Sequence, residues 1–171
     1  MRAQEEYFGV HADEKLQEEA SEVQLVSFLL GEEEFGADIL MVQEIIRMQP
    51  ITRVPNAPHF VEGVINLRGK VIPIVDLRKR LHIDGITDKK KMRVIVVEVD
   101  TKMTGFIVDA VSQVLRIPKS TIEPPPSIVI AGIDSEYITG VSKLGEKLLI
   151  LLDFSKILTT REKKALHEVE T

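Results

Sequence analysis

The sequence of 171 residues contains no cysteine and no tryptophan. The absence of cysteine excludes disulfides, thiolate zinc sites and thiol nucleophiles. Aromatic residues amount to 5% of the chain, and 22 basic residues stand against 27 acidic ones, so the formal net charge is −5. Surfaces that bind nucleic acid are basic, and those that bind single strands add stacking aromatic rings. This composition therefore argues against a nucleic-acid-binding protein.

Long hydrophobic runs are also missing. No segment approaches the roughly 18 uncharged apolar residues of a membrane-spanning helix, because even LLILLDF near the C-terminus is interrupted by Asp153. The N-terminal MRAQEEYFGVHADEKLQEEAS mixes charges throughout and lacks the apolar stretch of a secretory signal. We therefore expect no direct membrane insertion and a cytoplasmic location. The same segment, 1–21, is polar and acidic, which predicts a disordered tail.

Motifs that carry chemistry are absent as well. The sequence contains no G-x-G-x-x-G, no P-loop lysine motif, no G-x-S-x-G and no H-E-x-x-H. Its four histidines do not have the spacing of metal ligands. The expectation is a protein without enzymatic activity, cofactor or metal ion.

The chain does contain a series of short runs that are rich in Val and Ile and mostly bounded by Gly, Pro, Asn or Asp. This pattern is typical of β-strands. The predicted strands are VQLVSFLLG, EFGADI, GVINL, KVIPIVD, RVIVVEV, TGFIVD, GVSKL and KLLILLDF. The sequence therefore predicts a mainly β protein.

Helix signals are few. Asp76 and Asp153 each end a predicted strand, and their carboxylates can accept the free N–H groups of a helical turn in the following LRKRL and FSKIL. Thr160 is expected to cap a C-terminal α-helix over residues 160–171. We expect two short helical turns and one terminal helix.

An internal repeat organises the strands. An offset of 69 aligns the strand that begins at Val23 with the strand that begins at Met92, and an offset of 77 aligns residues 60–81 with 137–158. Each repeat, at about 23–81 and 92–158, contains about five strands, and a unit this small is only marginally stable alone. The repeat predicts two small β-barrels around a shared apolar seam, and it leaves open both strand exchange between them and a chance similarity of Val/Ile-rich strands.

Residues 25–81 also carry specific motifs. They contain F-x-L-x-x-E-x-F-G-A-D-I, then V-Q-E-I, then V-P-N-A-P-x-F-V-x-G-V-I-N-L-R-G-x-V-I-P-I-V-D-L. This stretch closely resembles the CheW family, the coupling proteins of bacterial chemotaxis, and the resemblance extends from Val23 to about Leu158. It implies a CheW-like domain over 22–159 with two SH3-like five-stranded β-barrel subdomains.

The resemblance also implies a function. Members of the family are non-enzymatic adaptors that link the cytoplasmic tips of transmembrane chemoreceptors to the regulatory domain of the histidine kinase CheA. We therefore expect recruitment to membrane-bound receptor arrays and ring or array assembly with the kinase. The alternative from another class is a small β-barrel that binds single-stranded nucleic acid, which the composition disfavours.

Arg68 is the strongest candidate site residue. A purely structural interpretation makes Arg68-Gly69 a hairpin turn in which Gly69 takes a positive φ and Arg68 is a solvated tip. The second repeat, however, has Gly145-Glu146 there, so the hairpin does not itself require arginine. By the resemblance Arg68 belongs to the receptor-binding surface, where a guanidinium offers several fixed donors.

The resemblance assigns three more residues to the receptor-binding surface, and each has a structural alternative. Val42 is equally well interpreted as a core residue. Glu44 is a weaker candidate, because single surface carboxylates are usually just solvated. Gly63 matches Gly140 in the second repeat, which indicates a backbone requirement for glycine in both halves. A groove lined by Val42 and Gly63, with Arg68 at its rim, would accept an amphipathic helical hairpin.

Overall fold

A computed structural model describes residues 21–85, 88–126 and 135–170 of the chain. The predicted tail lies outside these residues, except for Ser21. The expected mainly β fold is confirmed, since the described residues form ten strands in two five-stranded sheets, with few helices. None of the helices in this part of the chain has the length and apolar character needed to cross a membrane.

The ten strands follow the predicted apolar runs and add two that were not predicted. Their bounds are β1 Glu22–Leu30, β2 Glu33–Asp38, β3 Val42–Arg47, β4 Val61–Leu67, β5 Lys70–Asp76, β6 Arg93–Val99, β7 Lys102–Val108, β8 Ala110–Pro118, β9 Ile138–Leu144 and β10 Lys147–Leu152. The unpredicted strands β3 and β8 are edge strands, and most of their side chains are exposed or half-buried.

The two sheets exchange strands between the repeats. The first sheet has the order β8-β1-β2-β10-β9 and the second the order β3-β6-β7-β5-β4. The two orders become identical when five is added to each strand number and ten is subtracted from any result above ten. The two sheets are therefore related by the sequence repeat. Each sheet combines the first two strands of one repeat with the last three of the other. The barrels therefore do not coincide with the contiguous segments 23–81 and 92–158, and the strand exchange that the sequence left open is present.

Isolated pairings outside the strands join the two edges of each sheet. Thr52, which follows edge strand β3, pairs with Val64 on β4 at the opposite edge through hydrogen bonds of 2.9 and 2.8 Å. Glu123 pairs with Val141 in the same way in the other sheet. These pairings close the sheets in the manner of small barrels, consistent with the expected SH3-like architecture.

Three apolar clusters form the core. One belongs to the second sheet and includes Ile65, Ile74 and Ile107, and a smaller one belongs to the first sheet and includes Leu25 and Leu149. The third is the largest and takes side chains from both sheets. It is therefore the shared seam that the repeat predicts.

A stack of aromatic rings lies in the centre of this seam. The Phe154 ring centroid lies 5.0 Å from that of Phe106 on β7 and 5.9 Å from that of Phe28 on β1. All three side chains are completely buried. Because Phe28 and Phe106 belong to different sheets, the Phe154 ring packs the two barrels against each other.

The predicted helical turns are confirmed. Helix α1, Leu77–Leu81, begins after Asp76, whose carboxylate accepts from the N–H groups of Arg78 and Lys79 at 3.0 and 3.4 Å. Helix α2, Phe154–Ile157, begins after Asp153, which accepts from the Ser155 N–H.

A longer helix, α3, spans Thr160–Glu170. Its cap differs from the expected Thr160. The Thr159 hydroxyl accepts from the Glu162 N–H at 3.1 Å, and the Glu162 carboxylate accepts from the Thr159 N–H at 2.8 Å. These reciprocal bonds form a capping box, a motif in which the capping Ser or Thr lies three positions before a Glu or Gln. Thr160 has no glutamate at that spacing, which explains why Thr159 is the cap.

Asp76 is largely buried, and this gives a pH prediction. Desolvation raises the pKa of Asp76 above its ordinary value near 3.8. Its contribution to stability is therefore present below the unfolded pKa and is lost as the pH rises through the raised folded pKa. Asp76→Asn keeps the acceptor for the helix N–H groups and removes the buried charge. We expect this variant to be at least as stable as the wild type at neutral pH and to lose this part of the pH dependence.

Urea denaturation across the acidic range measures this effect. Asp76→Ala is the control, since it removes the cap along with the charge and should cost about 1 kcal/mol. A marked loss of stability in Asp76→Asn at neutral pH would contradict the desolvation argument.

Candidate functional site

The hairpin between β4 and β5 displays Arg68 at its tip. Both turn residues have left-handed backbone conformations, with φ of 51° at Arg68 and 86° at Gly69. Two successive positive φ values are typical of a type I′ turn, the two-residue hairpin turn whose backbone twist matches the twist of the flanking strands. The Asn66 side chain accepts from the Gly69 N–H at 2.9 Å. This bond fixes the turn. The positive φ predicted for Gly69 is confirmed, whereas the positive φ of Arg68 was not anticipated.

This conformation is unfavourable for arginine. The left-handed region costs a residue with a Cβ roughly 1–2 kcal/mol. The equivalent residue of the second repeat is Gly145, which has a similar φ of 61° and no such cost. The Arg68 side chain is 71% exposed, so burial does not offset the strain. An exposed arginine therefore stands at a turn position where the other repeat has glycine, so the turn itself does not need the arginine side chain.

Glu44 lies directly beside Arg68. It belongs to β3, opposite Val96 of β6, and accepts from Arg68 Nη1 at 3.2 Å while its second oxygen contacts Nη2. The hydrogen bond with Arg68 holds the pKa of Glu44 below its ordinary value. The guanidinium is therefore paired with a carboxylate at the surface, and it is not enclosed inside the molecule.

Val42 is the first residue of β3 and packs against the shared core. Val42 and Glu44 are both half-buried, but the pairing of β3 with β6 shifts register between them, so that Val42 lies opposite Val97 and Glu44 lies opposite Val96. Because Val96 and Val97 are successive residues of β6 and point to opposite faces of the sheet, the pairing does not place Val42 and Glu44 on the same face. Val42 is therefore half-buried. It packs against the core and keeps part of its side chain at the surface, so it matches neither a pure core residue nor a pure contact residue.

Gly63 is buried on β4, with a φ of 145°. A Cβ atom at this position would lie 2.1 Å from the Thr52 carbonyl oxygen and 2.9 Å from Ile51 Cγ2. The close approach that requires glycine is therefore made by the chain's own barrel-closing segment. Gly63 leaves the space in which Thr52 and Ile51 pack, and it offers no side chain to a partner. Its role therefore differs from that of Arg68 and Glu44, whose side chains are at the surface.

Metal ligands are not assembled anywhere in the part of the chain that the structure describes. No group of three or more His, Cys, Asp or Glu side chains there is placed to hold a metal ion. The rings of His59 and His82 stack with centroids 6.4 Å apart, and none of the described His, Cys, Asp or Glu side chains completes a metal site with this pair.

Sequence reasoning missed a second set of surface residues, which are large apolar side chains in repeat-equivalent pairs. Ile45 and Val114 are 40% and 56% exposed on β3 and β8, and Val71 and Leu148 are 51% and 47% exposed on β5 and β10. The signal in the sequence is that both members of each pair are apolar at equivalent positions of the two repeats. Leu148 also lines a groove of about 570 Å³ together with Ile150, the turn residue Glu32 and the first two residues of β2, Glu33 and Glu34.

Comparisons with known proteins agree on one family. A family model described as a CheW-like domain matches residues 24–162. A chemotaxis protein CheW of Klebsiella aerogenes is 40% identical over 154 residues, which cover 90% of this chain and 92% of the relative. A chemotaxis protein CheW of Treponema pallidum is 39% identical, with 81% and 84% covered. The crystal structure of the scaffolding protein TtCheW from Thermoanaerobacter tengcongensis is similar, with a TM-score of 0.75, 38% identity and 82% and 90% of the two chains covered.

Proposed function

The chain belongs to the CheW-like domain family of chemotaxis scaffold proteins, and from this membership we propose that it couples chemoreceptors to the histidine kinase CheA. The adaptor acts without catalysis by binding both partners at once. The observation that carries the proposal is Arg68, which is exposed, conformationally strained and present in only one of two otherwise similar hairpins.

The receptor side of the adaptor is the surface around this hairpin. Arg68 and Glu44 present a charged pair at the end of the second sheet, and the half-buried Val42 lies two residues before Glu44 on β3. Such a surface fits an amphipathic helical hairpin, which would bury apolar side chains and offer a carboxylate or carbonyl oxygen to the guanidinium. Gly63 supports it by letting the Ile51–Thr52 segment lie flat against β4.

The kinase side uses the ends of the two sheets. Val71 and Leu148 occupy repeat-equivalent positions there, and each is about half exposed. The neighbouring strand β2 of the first sheet begins with Glu33, and the equivalent residue of the second sheet is Lys102, the first residue of β7. A partner built from the same two barrels can therefore pair the acidic end of one molecule with the basic end of the next. Such head-to-tail contacts close into rings or extend into arrays, with CheA regulatory domains and this protein alternating.

The alternative of a single-stranded nucleic-acid-binding barrel loses support in the structure. Such proteins stack bases on exposed aromatic rings. Every Phe and Tyr among the described residues is buried, namely Phe28, Phe35, Phe60, Phe106, Tyr137 and Phe154. We therefore favour the adaptor, which we place in the cytoplasm and at receptor arrays without insertion into the membrane.

Co-sedimentation with receptor-containing membranes tests the proposal. The wild-type protein should sediment with the membranes and carry a soluble CheA with it. Leu148→Asp should leave receptor binding intact and reduce the kinase in the pellet about tenfold or more, because a charge opposes burial of an apolar contact. The control is Val114→Asp, an equally exposed apolar site on β8, which should retain kinase recruitment. A wild-type protein that binds neither receptors nor kinase would exclude the adaptor function.

A further inference from the structure

The polypeptide crosses between the two sheets at two places among the described residues. The first crossing is the 3₁₀ turn Ile39–Met41, which joins β2 of the first sheet to β3 of the second. The second is the single residue Asp109, which joins β7 of the second sheet to β8 of the first. A change in the relative orientation of the two barrels therefore requires a change of the backbone at these crossings.

Asp109 is held by atoms of both barrels. Its N–H donates to the Leu29 carbonyl at 3.0 Å, and its Oδ2 accepts from the Gly31 N–H at 2.6 Å, so β1 and the turn after it are bound to the crossing. Its Oδ1 pairs with Arg78 Nε at 3.1 Å, which binds α1 to the same carboxylate. The side chains of Asp109 and Arg78 are only 10% and 21% exposed, so solvent weakens the pair little.

Arg78 extends these contacts to the segment that joins the repeats. Its Nη1 donates to the Gly85 carbonyl at 2.9 Å. Gly85 in turn approaches Gly31 so closely that a Cβ atom on Gly85 would lie 2.7 Å from the Gly31 Cα. The Asp109 crossing is thus surrounded by the β1–β2 turn, α1 and the connection between the repeats.

Among the described residues, the first crossing has no comparable polar anchor, although Met41 packs against the shared apolar cluster. The repeat equivalent of Asp109 is Leu40, which is 85% exposed. No residue of the Ile39–Met41 turn is buried, and its side-chain hydrogen bond is local, from the Leu40 N–H to Asp38 Oδ1 at 2.9 Å. That bond stabilises the turn without joining it to the other sheet.

We infer that Asp109 is the fixed pivot that sets the angle between the two barrels, and that the Ile39–Met41 crossing takes up changes in that angle. The apolar seam holds the barrels together, but the hydrophobic effect that drives its burial is itself non-directional. Hydrogen bonds and ion pairs weaken steeply when their angles change, so the three bonds of Asp109 define an orientation. This inference concerns the fold and does not depend on which partners the protein binds.

Distance measurements between the barrels test the pivot. Because the chain has no cysteine, Lys70→Cys and Lys147→Cys place two spin labels at repeat-equivalent, exposed positions on β5 and β10. Pulsed electron paramagnetic resonance should give one narrow distance distribution for this labelled protein. Asp109→Ala in the same background should shift and broaden the distribution, with far-UV circular dichroism that still shows the folded β content.

The matched control is Asp38→Ala, which removes the aspartate at the other crossing and should leave the distribution narrow. If Asp109→Ala does not fold, Arg78→Gln serves in its place, because it removes one of the bonds to the carboxylate and keeps the Gly31 bond, and it should broaden the distribution in part. An unchanged distribution in the folded Asp109 or Arg78 variant would overturn the inference, as would equal broadening in Asp38→Ala.

Discussion

Arg68→Glu should abolish co-sedimentation of the protein with receptor membranes while its melting temperature changes little. Guanidinium groups are enriched at interface hot spots, whose truncation weakens binding roughly 30-fold or more, and reversing the charge adds repulsion from a receptor carboxylate. Stability depends little on this side chain because it is exposed, and solvent screens exposed ion pairs such as Arg68–Glu44, so that they contribute little to folding. The kinase should still bind, since Leu148 and Val71 are unchanged.

Arg68→Gly separates binding from stability more sharply. It gives the hairpin the residue that the second repeat has at Gly145, where φ is 61°. Relief of the left-handed strain should raise the free energy of unfolding by about 1 kcal/mol. Receptor binding should nevertheless be lost with the guanidinium. A variant that is both more stable and fully competent in receptor binding would show that Arg68 is only a turn residue.

The strands that sequence reasoning found are those with continuous apolar runs, such as β6, whose residues Val94–Val97 are all buried. The strands it missed, β3 and β8, lie at sheet edges and carry polar or exposed residues at many positions, so neither composition nor a clean alternation marks them. Their pairing partners also lie in the other repeat. Barrels built from one repeat each and barrels that exchange strands would have the same local sequence patterns. Only the tertiary structure shows which strands pair.

The candidate site was predictable in its residues but not in its contacts. The unequal hairpins pointed to Arg68 because two copies of one unit can be compared within a single chain. The ion pair with Glu44 spans 24 residues and depends on β3 crossing to the second sheet, which no local pattern encodes. The close packing of Thr52 on Gly63 likewise depends on barrel closure, although the glycine shared with the second repeat correctly indicated a backbone requirement.

Gly63→Ala should have the largest effect on stability among the site residues. Its Cβ would lie 2.1 Å from the Thr52 carbonyl oxygen and 2.8 Å from the Thr52 carbonyl carbon, and backbone atoms cannot move aside as the end of a side chain can. The φ of 145° adds strain for any residue with a Cβ. Together these terms should lower the free energy of unfolding by about 3 kcal/mol, as measured by urea denaturation.

Gly140→Ala is the matched variant in the other sheet. Its Cβ would meet Ile122 Cγ2 at 2.6 Å and the Glu123 carbonyl oxygen at 3.0 Å, so the closest contact is a side chain that can rotate. We expect a smaller loss of stability and normal receptor binding, because β9 lies outside the surface around Arg68. Gly63→Ala, when folded at low temperature, should bind receptors more weakly because Thr52 is displaced. Equal stability losses in the two variants, or normal receptor binding by a folded Gly63→Ala, would show that the packing of Thr52 on β4 does not shape the receptor surface.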